Sequence, residues 1–151
     1  MSSFATIFIF CFMKYLVANK LLLFGTVAVV CFTSCREKTT SDPIESYKNW
    51  AGELPPKNVK VIHGKYWQSA HWSKEYILYL ELQAPSSWIA QFIEQNSLVK
   101  APDNPGFPSD APGWFNPGKD FRILKQKGFD QGSVYYEDTL AGKVFIYEVQ
   151  L

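Results

Sequence analysis

Between Tyr76 and Leu82 the side chains alternate without a break. Tyr76, Leu78, Leu80 and Leu82 fall on one side of an extended chain, and Ile77, Tyr79 and Glu81 on the other. Successive side chains of a strand point to opposite faces, so this pattern predicts a central strand with one fully buried side. Residues 59–63 also alternate and are rich in β-branched side chains. They predict a strand that bends at Gly64 and continues through Tyr66-Trp67-Gln68. The short connection over 69–74 suits an antiparallel hairpin between the two strands. Three more strands are expected over 120–126, 133–137 and 143–150, the last two joined by a turn in which Gly142 supplies positive φ.

Two segments follow the helical period instead. Asp42-Pro43-Ile44-Glu45 has the marks of a helix start: a side-chain acceptor at the N-cap, proline at the first helical position, and a glutamate placed for a capping box. Ile44, Tyr47 and Trp50 then mark one apolar face, and Gly52 with Pro55-Pro56 ends the helix. A second helix is expected after Pro85, capped by Ser86, with Trp88, Ile89, Phe92 and Ile93 on its buried face. The resulting order α-β-β-α-β-β-β predicts one α+β domain over 42–151. Its sheet is expected to be mostly antiparallel, with about five strands and both helices on one face.

Residues 101–118 hold five prolines and three glycines, which excludes a helix or a central strand. A loop of this length without secondary structure is usually functional or disordered. Phe107, Trp114 and Phe115, set beside Asp103, Asp110 and Asn116, argue against disorder. The loop is expected either to fold back on the sheet as a lid or to present Phe107, Asp110, Trp114 and Phe115 to a protein partner. The prolines keep it stiff, so little entropy is lost on binding.

Ahead of the domain lie basic residues at Lys14 and Lys20, an apolar run over 21–32, and small residues before Cys35. This is the plan of a secretory signal, and its run is shorter than the ~20 residues that cross a bilayer. The ending Phe32-Thr33-Ser34-Cys35 resembles the lipobox of bacterial lipoproteins, with Phe32 where that motif usually carries an aliphatic residue. The resemblance implies removal of a signal peptide over 1–34 and acylation of Cys35. It also implies a tether over 35–41 and lipid attachment to a membrane of the bacterial cell envelope. Two or more acyl chains make such an anchor firm, because each buried methylene contributes about 0.8 kcal/mol. Translation starting at Met13 would give the signal the usual short basic beginning. If the segment is not cleaved, the further apolar run over 4–12 makes it a single N-terminal transmembrane helix instead. Trp114-Phe115-Asn116-Pro117, Tyr135-Tyr136-Glu137-Asp138 and the stretch from Gly142 to Tyr147 look like the tail of small uncharacterised bacterial proteins, some lipoproteins and some immunity-like.

Charge and cysteine usage narrow the function. Without Lys14 and Lys20, 13 of the 15 basic residues stand against 14 acidic ones, and the net charge near −1 with no basic stretch argues against nucleic acid. Cys11 and Cys31 precede the cleavage point and Cys35 takes lipid, which leaves the exported domain no thiol, disulfide or cysteine metal ligand. An enzyme would have to use His63 and His71, sharing a carboxylate such as Glu75 for acid-base work or metal binding. No HExxH, GxSxG, glycine-rich phosphate loop or EF-hand spacing is present, and no cofactor or metal is expected. The chain reads as a membrane-anchored envelope lipoprotein whose domain binds a protein partner without catalysis. A small His-dependent hydrolase or metal-binding enzyme, and a purely structural envelope subunit, are the alternatives.

Overall fold

The computed structural model describes residues 36–151 with the exception of Trp72 and Phe129. The signal segment, Met13 and Cys35 lie outside the described residues. Seven strands form one sheet: β1 (Lys38–Thr40), β2 (Lys60–Gln68), β3 (Tyr76–Gln83), β4 (Leu98–Lys100), β5 (Arg122–Gln126), β6 (Val134–Asp138) and β7 (Lys143–Gln150). Helix α1 (Pro43–Ala51) follows β1, and α2 (Ser86–Gln95) follows β3. Across the sheet the order is β1-β2-β3-β7-β6-β5-β4, with every neighbouring pair antiparallel.

An α+β fold with two helices on an antiparallel sheet agrees with the pattern of the chain. The count of about five strands and the order α-β-β-α-β-β-β do not. The described order is β-α-β-β-α-β-β-β-β, because β1 opens the domain and β4 follows α2. Both added strands are three-residue edges without an apolar period of their own. Lys38–Thr40 falls within the segment whose polar composition suggested a free tether, yet it pairs with Tyr66–Gln68 through its backbone, which polar side chains do not prevent. Among the described residues, no helix is long and apolar enough to cross a membrane.

Helix α1 begins as its sequence predicts. Asp42 Oδ1 accepts from the Glu45 amide at 2.7 Å, Pro43 occupies the first turn, and Gly52 ends the helix at φ 79°. The capping box is not closed on itself, however. Glu45 Oε2 accepts from the Thr40 hydroxyl at 2.7 Å, and the Asp42 amide donates to the same hydroxyl at 3.1 Å. The end of β1 is thereby tied into the start of α1. The buried face is Ser46 and Tyr47, with Trp50 partly covered, whereas Ile44 is exposed. The cause lies in β2: a Cβ on Gly64 would stand 2.7 Å from Ser46 Cβ and 3.0 Å from Pro43 Cα. The helix therefore lies directly on strand backbone, and a small residue must face it. The irregularity expected at Gly64 falls between Val61 and His63. In α2 the N-cap is Pro85, without a side-chain bond, so Ser86 is a helical residue and not the cap.

Both faces of β3 are covered. Leu78, Leu80 and Leu82 join Tyr66, Tyr135 and Ile146 beneath the two helices. Tyr79 joins Phe115, Tyr136, Phe145 and Val149 on the opposite face. A strand buried on both sides holds two cores apart, and the second is closed by the proline-rich segment.

Candidate functional site

Residues 101–118 form a lid with an outward edge. Phe115 is 2% exposed, its ring centroid 5.2 Å from Tyr79, 5.4 Å from Phe145 and 5.5 Å from Phe107. Local turns hold it there, the Phe115 amide donating to Pro112 O at 2.8 Å and the Ala111 amide to Pro108 O at 3.0 Å. The Tyr136 hydroxyl, pushed up to about 12 by burial, donates to Gly106 O at 2.9 Å and pins the near end of the loop. Of the four residues singled out for binding, Phe115 is core and Trp114 is half-buried, stacked on the His63 ring at 5.1 Å. Asp110 is exposed and accepts a long bond, 3.5 Å, from the Tyr79 hydroxyl. Phe107 stays 43% exposed while its inner edge leans on Phe115 and Tyr136.

The two histidines engage different carboxylates. His71, largely in solvent, faces the half-buried Glu75 at 3.8 Å in the β2–β3 turn, whereas His63 Nδ1 meets Glu81 Oε2 at 2.7 Å. His63 lies five positions before Gln68, the last residue of β2. At ~3.3 Å per residue that separation is well beyond the reach of a shared metal or proton. The expected grouping of His63, His71 and Glu75 is therefore not assembled. Among the described residues, no group of three or more His, Cys, Asp or Glu is placed to hold a metal ion.

Glu81 was legible as a polar residue of a central strand, but its partners were not. It is 6% exposed and also takes Lys143 Nζ at 2.8 Å, so β2 and β7 supply one partner each to the strand between them. A buried carboxylate requires such partners. Burial alone would raise its pKa, but the hydrogen bonds and charges of Lys143 and His63 outweigh burial and hold it below the usual glutamate value. An imidazole oriented by a carboxylate is what a general base needs. Here the carboxylate is shared with Lys143, and Trp114 lies over the ring.

A pH dependence follows. The unfolded chain takes up the Glu81 proton at higher pH than the folded one, so this stabilisation is complete above the unfolded value and is lost as pH falls through the depressed folded one. In thermal unfolding, wild type is expected to lose more stability than Glu81→Gln between about pH 5 and about pH 3. Parallel profiles would show that the cluster contributes nothing.

A second carboxylate, Glu148 on β7, was not singled out by the sequence pattern. The signal was present: alternation in Lys143–Gln150 puts Glu148 on the same face as Val144 and Ile146, beneath the helices. Its Oε2 accepts from Trp50 Nε1 at 3.1 Å and from the Tyr135 hydroxyl at 3.2 Å, and its Oε1 accepts from the Tyr76 hydroxyl. Burial first, and then the bond to Glu148, hold the Tyr76 hydroxyl well above the ordinary tyrosine value, so it remains a donor. Glu148 forms part of the wall of a cleft of about 430 Å³ between α1 and α2, which Trp50, Tyr76, Trp88 and Phe92 also line. Trp88 and Phe92 stack at 5.4 Å with nearly parallel planes. Compared with protein-family models, curated proteins and solved structures, the chain matches none.

Proposed function

We propose that the chain is a lipoprotein of the bacterial cell envelope, acylated on Cys35, whose α+β domain binds a protein partner without catalysis. The contact surface is the outward edge of the 101–118 loop around Phe107, Asp103 and Asp110. One observation carries this reading: Phe107 is 43% exposed on a loop whose neighbouring ring, Phe115, is anchored in the core. An aromatic side chain held out on a pre-organised support is the usual anchor of an interface, since little ordering remains to be done on binding. The signal-like run and Phe32-Thr33-Ser34-Cys35 support the anchor.

Membrane fractionation and partner recovery from gently solubilised membranes test the two halves separately. Wild type is expected in the membrane fraction with Cys35 acylated by mass spectrometry, and Cys35→Ala is expected to lose the acyl mass. Phe107→Ala is expected to weaken partner capture by about 30-fold, the effect of losing about 2 kcal/mol at an interface anchor, with thermal unfolding still cooperative. Wild type without an acyl mass on Cys35 would sink the lipid anchor. Undiminished capture by Phe107→Ala would remove the loop from the interface.

A further inference from the structure

We propose that the cleft between α1 and α2 binds an organic ammonium group, held against Glu148 with aromatic rings beside it. The proposal does not rest on the loop, which covers the other face of the sheet. Glu148 accepts from Trp50, Tyr76 and Tyr135, all neutral donors. They fix the position of the carboxylate and leave its charge uncompensated. None of the described residues lining this cleft is Lys, Arg or His, and Glu53 adds a second negative charge to it. On its other side Glu148 borders a second depression, where Asp130 is present and again no basic residue contributes among the described residues. A partly buried charge without a counter-charge is costly, and an incoming cation relieves that cost.

The walls select the kind of cation. Trp50, Tyr76 and Trp88 present ring faces or edges, and ring faces attract alkylammonium groups. A hydrated Ca²⁺ or Mg²⁺ would instead call for several converging oxygen ligands, and among the described residues no group of three or more His, Cys, Asp or Glu is placed to hold a metal ion. The cleft, at about 430 Å³, has room for an ammonium with several carbons attached. Gln91, Gln95 and Asn96 add polar side chains to the same lining. The ammonium could belong to a free small amine or to a lysine side chain of a peptide.

The test uses the full chain in a non-ionic detergent, titrated while the tryptophan indole N–H resonances are followed. Choline is compared with its neutral carbon isostere 3,3-dimethylbutan-1-ol, and Nα-acetyl-lysinamide with Nα-acetyl-norleucinamide. Saturable shifts of the Trp50 and Trp88 signals are expected with each ammonium, and binding about tenfold weaker with each neutral counterpart. Tighter binding of the lysine derivative than of choline would assign the ammonium to a peptide, and the reverse order to a small amine. Glu148→Gln is expected to abolish the preference for charge. Should that variant fail to fold, Trp88→Leu, which leaves the three bonds to Glu148 intact, is expected to weaken choline several-fold more than the alcohol. Equal binding of charged and neutral compounds to wild type, or no saturable shift with any of them, overturns the proposal.

Discussion

Phe115→Ala is expected to lower folding stability by about 3–5 kcal/mol, a large share of the 5–15 kcal/mol typical of a domain. The ring is 2% exposed and meets Tyr79, Phe107, Tyr136 and Phe145 edge-on, so truncation removes the buried area and leaves a cavity the stiff loop cannot easily fill. The five prolines of 101–118 limit collapse into that space. Urea unfolding monitored by near-UV circular dichroism reads the effect as a lower midpoint. Phe107→Ala, at a half-open position, is expected to shift the midpoint by much less. The contrast separates the two roles of the loop, because a segment that served recognition alone would tolerate loss of either ring. A wild-type midpoint for Phe115→Ala would mean that the second core does not depend on the lid.

What was legible in the chain is what local chemistry decides. Asp42, Pro43 and Gly52 mark both ends of α1 through their own backbone preferences, and the alternation in Tyr76–Gln83 identifies the central strand. β1 and β4 were missed because Lys38-Thr39-Thr40 and Leu98-Val99-Lys100 are too short to show a period; pairing with β2 and β5 defines them. The loop was recognised as important and its lid role anticipated, but no local signal distinguishes Phe115, which is buried, from Phe107, which is not. The charged contacts were the least legible. His63 lies 18 residues from Glu81, and Trp50 lies 98 from Glu148, so only the order of strands across the sheet and the placement of α1 on it reveal which partners meet. Proximity along the chain instead suggested His71 and Glu75 for His63.

Gly64→Ala is expected to destabilise by about 1–3 kcal/mol, although the change is a single methyl group in a strand, where alanine is ordinarily no worse than glycine. The added Cβ would meet Ser46 Cβ at 2.7 Å, Ser46 Oγ at 2.9 Å and Pro43 Cα at 3.0 Å, two of them on one small side chain and the third on helix backbone. The contact can be probed from the helix side. Ser46 is fully buried and its hydroxyl has no hydrogen-bond partner among the described residues, so Ser46→Ala is expected to be neutral or to stabilise by about 1 kcal/mol. Ser46→Gly alone is expected to cost about 1 kcal/mol through helix propensity. Combined with Gly64→Ala, it removes the two nearest clashing atoms. The double variant should therefore be more stable than the sum of the two single changes by about 1 kcal/mol or more, a coupling that a double-mutant cycle in urea measures directly. Pro43 Cα remains in place, so rescue stays partial. Simple additivity would show that α1 does not rest on β2 at this point, and the close helix–strand approach that leaves Ile44 exposed would lose its explanation.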